Sequence, residues 1–247
     1  MDRKSAIKAI VQAGVLLVFP VDNKKEPASI WSHFYPRRKM VWEWDEGSDH
    51  SVATLWHLRG ELSTVRHVIY TKWYKGRATY FSPSVFSGML RSLNPKGDLR
   101  ESLSAGARKI LEILEGESPL STKELKRMAD MKGKANEKSY NDALKELWSR
   151  LLIVAYGEVD DGAFPSLAVG STRVLYEDLW RKSFALDAKN AELLISKSLS
   201  AENLFYQYYL KLKLGPKTQT KSKASKRPGL SGDNVTKVGK VIRFEDL

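Results

Sequence analysis

The segment from Ser104 to Gly170 constrains the fold more than any other, because its apolar spacing changes from helical to strand-like within one fully punctuated run. Ala107, Ile110, Leu111 and Leu114 lie on one helical face, and Gly116 with Pro119 ends that helix. Leu120 to Leu125 opens a second helix: Ser121 is the N-cap, Glu124 stands where it closes a capping box, and Leu120 is placed to staple onto Leu125. After the basic turn Met131-Lys132-Gly133-Lys134-Ala135, Asn136 is the expected N-cap of a third helix. Tyr140, Ala143, Leu144, Leu147, Trp148 and Leu151 form its apolar stripe, with Lys138, Asn141, Lys145 and Ser149 opposite. Leu151 to Tyr156 then reads as a strand, Asp160-Asp161-Gly162 as a turn, and Ala163 to Val169 as the returning strand. Three short helices followed by a two-stranded wing make a winged helix-turn-helix.

The flanks read in the same way. Lys4 to Ala13 is an expected helix stopped by Gly14, and Val15 to Phe19 a strand closed by Pro20. Ser29 caps a brief helix holding Ile30, Trp31, Phe34 and Tyr35, and Arg37-Arg38-Lys39 follows as a basic knot. Leu62 to Tyr70 and Arg77 to Phe81 are expected strands around a Lys72 to Gly76 connection, with a short buried helix at Val85, Met89 and Leu90. Beyond the wing, Val174 to Trp180 and Ala188 to Lys197 read as helices. Ser200 is the expected cap of a third, with Leu204, Phe205, Tyr208, Tyr209 and Leu212 on one face. The fold class is therefore α+β: a winged helix-turn-helix module packed with a small N-terminal α/β region and C-terminal helices. The expected divisions are residues 1–98, 99–172, 173–215 and a basic tail, 216–247, without fixed structure up to about Ser231.

Charge narrows the partners. The net charge is +12, of which the segment from Lys217 supplies +5, so the part read as folded keeps +7 and its basic character is not a tail effect. A polyanion is the expected partner, with double-stranded DNA ahead of an anionic membrane because no stretch has a membrane-seeking face or transmembrane length. The apolar run Val15 to Phe19 is short and no Ala-x-Ala pattern follows, so no signal peptide is expected. Without cysteine the chain has no disulfide, thiol nucleophile or cysteine-ligated zinc, which fits a cytoplasmic protein, nucleoid-associated if bacterial.

Three sets of residues are candidates for function. Lys132, Lys134, Lys138, Lys145 and Arg150 suit phosphate contacts, and Asn141 suits a base edge, if the third helix enters the major groove. Glu137, Asp142 and Glu146 dilute that field, so the same face also reads as an ordinary solvated one. Lys72, Lys75 and Arg77 interleave with Trp73, Tyr74, Tyr80 and Phe81, which suits either a nucleic-acid surface or a core with solvated cations. Asp45 and Glu46, near Asp49 and His50, form the locally acidic patch of the N-terminal half. Carboxylates suit Mg²⁺, but Gly47-Ser48 marks a solvated turn and His33, His57 and His67 lack ligand spacing, so no metal and no cofactor is expected.

The chain resembles the winged-helix proteins related to the AlkZ/YcaQ-type crosslink-repair DNA glycosylases, specifically their short relatives. The resemblance runs over most of residues 5 to 215. It is carried by Gly14 through Phe19-Pro20, Pro27 to Trp31, Trp42-Glu43-Trp44, Lys72 with Lys75-Gly76-Arg77, Phe81-Ser82-Pro83, the Pro119 to Thr122 helix start, and Tyr208 to Gly215. It implies a DNA-binding scaffold and, in catalytic members, hydrolysis of the N-glycosidic bond of an alkylated purine, with a Gln-x-Gln type motif positioning water. Gln12, Gln207 and Gln219 are the only glutamines here, and no two have that spacing. Full-length relatives continue into further winged-helix and β-barrel regions, of which Gly229-Leu230-Ser231 is a candidate remnant. The expectation is a DNA-binding protein that lacks the family's catalytic motif, in DNA repair. Two alternatives stand beside it. One is a glycosylase in which Asp45 or Glu46 activates water and Trp42 or Trp44 stacks on a flipped base. The other is a protein-interaction module.

Overall fold

The computed structural model describes residues 1–41, 50–95, 99–159 and 165–215. Its centre is a six-stranded sheet in the order β1-β3-β2-β5-β6-β4, every neighbouring pair antiparallel. The strands are β1 (Val15–Leu17), β2 (Ile69–Tyr74), β3 (Arg77–Phe81), β4 (Leu120–Ser121), β5 (Ile153–Val159) and β6 (Ser166–Ser171). β2 and β3 form a hairpin whose turn is Lys75-Gly76, both with positive φ, the geometry a two-residue hairpin turn requires and glycine takes without strain. β2 joins β5 through the Tyr70↔Ala155 pair, so one sheet runs from the N-terminal strands into the later hairpin. Met1–Pro216 forms one compact unit; a second, Lys217–Leu247, lies outside the described residues.

Alternation along β2 and β3 sorts the aromatic side chains by face. Tyr70 and Tyr80 stack with centroids 4.9 Å apart on one face, where the Tyr80 hydroxyl donates to the Arg59 carbonyl at 2.6 Å. Trp73 and Phe81 occupy the other, meeting Phe86 and Tyr208 edge to face. Trp73, Tyr80 and Phe81 are fully buried, so of the two readings open for these rings the core is the one found.

The helices follow their caps. α1 (Arg3–Ala13) starts at Asp2, α2 (Ile30–Phe34) at the Ser29 capping box, and α4 (Pro83–Leu93) at Ser82. Ser104 caps α5 (Ala105–Gly116) and Ser121 caps α6 (Thr122–Met128), each hydroxyl accepting the N–H three residues on and contributing about 1 kcal/mol. α7 (Lys134–Ser149) packs Tyr140, Ala143, Leu147 and Trp148 inward. α8 (Thr172–Leu175), α9 (Glu177–Phe184), α10 (Ala188–Ser196) and α11 (Leu204–Leu214) complete the described residues.

The larger departures from the sequence expectation are five. Leu62 ends a helix, α3 (His50–Ser63), rather than opening a strand, because Leu55, Leu58 and Leu62 share one buried helical face; β2 starts only at Ile69. Asn136 is not the cap of α7: the helix begins after Gly133, and the Asn136 amide donates to the Lys132 carbonyl at 3.1 Å. The strand expected from Leu151 starts at Ile153, since Leu151, at φ 59°, closes α7 first. The helix expected over Val174 to Trp180 is broken at buried Tyr176 into α8 and α9. Finally, Asn203 rather than Ser200 caps α11, its side chain accepting the Phe205 N–H at 2.8 Å.

Candidate nucleic-acid interface

α7 separates its faces cleanly. Burial of Tyr140, Ala143, Leu147 and Trp148 leaves Lys134, Lys138, Asn141 and Lys145, at i, i+4, i+7 and i+11, as one exposed stripe, with exposed Lys132 just before it. The Tyr140 hydroxyl donates to the Thr122 carbonyl at 2.8 Å and fixes α7 against α6. Two of the three diluting acids have partners of their own. Glu137 pairs with Lys126, whose ammonium holds the Glu137 carboxyl below its usual range, with a smaller contribution from the Asn141 amide. Glu146 accepts the Ser104 N–H at 3.2 Å and so serves the start of α5. Asp142 remains exposed.

Arg150 differs from the lysines. Its guanidinium donates to Asn94 Oδ1 at 3.0 Å and to the Ser102 carbonyl and hydroxyl at 3.3 and 2.9 Å, tying the end of α7 to the chain before α5. Burial there lowers its pKa. Lys75 and Arg77 are exposed at the β2–β3 turn, with the Lys75 ammonium 5.2 Å from the Tyr74 ring centroid. Lys72 is half-buried.

Asp45 and Glu46, with Trp42, Trp44 and Asp49, lie outside the described residues, as does the Asp160-Asp161-Gly162 turn. His33, His57 and His67 are exposed and separate, and among the described residues no three His, Asp or Glu side chains converge to hold a metal ion.

One polar cluster is invisible to a reading of the sequence. Arg59, on the buried side of α3, pairs with Glu158 of β5, and its Nη1 lies 3.4 Å from the Tyr70 hydroxyl. Its guanidinium carbon sits 4.1 Å from the ring centroid of Trp56, a residue 45% exposed and itself beside Phe19. The available signal was an arginine among Leu55, Leu58 and Leu62, legible only once α3 is seen as a helix.

The sequence profile of the AlkZ related family matches residues 2–203. The chain belongs to that family, and is thereby a relative of the DNA glycosylase-like proteins. No curated protein and no solved structure matches it. No helix among the described residues is long and apolar enough to cross a membrane.

Proposed function

We propose that this protein binds double-stranded DNA through α7, acts without the family's Gln-x-Gln water-positioning motif, and serves in DNA repair. The order α5–β4–α6–α7–β5–β6, with β4 on β6, supports reading this part as a winged helix-turn-helix, in which α7 is the helix that enters the major groove. The observation that carries the proposal is the exposed stripe of Lys134, Lys138, Asn141 and Lys145, beside which Glu137 is paired with Lys126. The lysines suit phosphates. Asn141, whose side chain bonds to Glu137, would exchange that contact for an adenine edge. Such a partner fits a cytoplasmic or nucleoid location.

The test is binding to an unmodified duplex by fluorescence anisotropy across a salt series, for the whole chain and a chain ending at Gly215. Both should bind, with a log-log salt slope of about −0.9 per phosphate contacted. Lys138→Glu with Lys145→Glu should lower affinity at least tenfold and flatten the slope by about 2. Binding by the whole chain alone would assign it to the tail. No binding by either, with capture of a protein partner, would favour the interaction-module alternative.

A further inference from the structure

α7 carries an acid where a phosphate-binding helix has least use for one. Glu137 lies in the first turn of α7, three residues after Lys134 and four before Asn141, so it neighbours both on the exposed face. In a helix-turn-helix the N-terminal residues of the second helix are those that reach base edges. A carboxylate there repels the phosphates that its neighbours attract, and so lowers affinity for duplexes in general.

The carboxylate is held in place. Lys126 of α6 pairs with Glu137 Oε2, and its ammonium also lies 5.4 Å from the Tyr140 ring centroid, while the Tyr140 hydroxyl donates to the Thr122 carbonyl at 2.8 Å. These contacts between α6 and α7 anchor one side of the acid. The Glu137 side chain nevertheless stays 54% exposed, against 23% for Lys126. The Asn141 amide, one turn on, is a second donor to this carboxylate. If that amide leaves for an adenine edge, the carboxylate loses a donor just as the groove takes water from it, and a desolvated acceptor without a donor is costly. In the major groove the match for a carboxylate is the N4 amino group of cytosine.

We propose that Glu137 is a specificity-determining residue of the α7 site, accepting a hydrogen bond from the N4 amino group of a cytosine beside the adenine that Asn141 reads. Lys126 is its positioning residue. This inference rests on the duplex reading of α7 and narrows it to sites in which an adenine and a cytosine are neighbours. The acid gives up some affinity for every duplex and gains a difference between them.

The experiment selects duplexes with a randomised centre on the whole chain. Anisotropy then compares the enriched duplex with the same duplex carrying thymine for the cytosine, which offers an acceptor and a methyl group in place of the amino donor. Wild type should enrich a cytosine next to an adenine and prefer the cytosine duplex about fivefold or more. Glu137→Ala should lose that preference and bind the thymine duplex more tightly than wild type does, because a repelling charge has gone. Asn141→Ala should lose the adenine and keep the cytosine. Glu137→Met, which keeps the length of the stem, stands in if Glu137→Ala does not fold. A wild-type chain that binds no duplex overturns the reading on which the inference rests. One that binds duplexes without preference, or whose cytosine preference survives Glu137→Ala, overturns the role of Glu137 alone. A lower Tm for Glu137→Ala with the preference intact assigns Glu137 to the α6–α7 seam only.

Discussion

Replacing Gly88 by alanine tests how closely α4 and α10 are packed. A Cβ at Gly88 would stand 2.6 Å from the Ala191 carbonyl oxygen, 2.9 Å from Ile195 Cγ1 and 3.3 Å from Leu194 Cβ. The first obstacle is backbone, so no rotamer change removes it: α10 must retreat by about 0.8 Å to restore ordinary contact, loosening its seam with α4. Overpacking of this kind costs about 3 kcal/mol, at the upper end of its range because the obstacle cannot rotate away. Relief of the helical glycine returns about 1 kcal/mol. The net loss is about 2 kcal/mol, which in a chain of this length lowers Tm by about 4–8 °C. Gly60 in α3 is the control, since its Cβ would meet nothing within 4 Å. Gly60→Ala should gain about 0.5–1 kcal/mol and melt higher than wild type. Differential scanning calorimetry of the two variants reads opposite signs for the same chemical change. A Gly88→Ala chain that melts at or above wild type would refute the close approach of α4 and α10.

Two further predictions concern charge. Glu158→Gln leaves Arg59 without its carboxylate; urea unfolding should show a loss of about 2–3 kcal/mol, less than for a fully buried pair because the Glu158 side chain is 29% exposed. On α10, burial opposes ionisation of Glu192, but Lys213, the Tyr209 hydroxyl and Ser92 together hold its pKa below the ordinary 4.5. Its contribution is present above pH 4.5 and is lost as pH falls through the lowered folded value, so Glu192→Gln should flatten the acid limb of a stability-versus-pH curve below that point.

The helices that announced themselves in the sequence did so through caps and clean stripes: Ser29 and Ser121 start helices where their hydroxyls were expected to. α3 did not, because His50, Ser51, Thr54 and His57 interrupt its apolar positions and Gly60 lies inside it, so Leu62 attached itself to the apolar run that follows. Asn136 misled for a related reason: its type suits a cap, but the backbone had already turned into the helix at Gly133. The cationic stripe of α7 was readable because a helix repeats locally. The Arg59–Glu158 pair was not, since its partners are 99 residues apart and meet only through the β2–β5 pairing, which leaves no mark on either strand alone.

That pairing also bears on how the chain can be taken apart. β5 has β6 on one side and β2 on the other, and Ile153, Val154 and Ala155 are all fully buried. A fragment beginning near residue 99 would keep α7 and both hairpin strands but present the β5 backbone, with its apolar side chains, as a raw edge open to another strand. Such a fragment is expected to pair with copies of itself. α7 and its hairpin are thus not a portable part: the cover on β5 is a strand supplied by the first third of the chain.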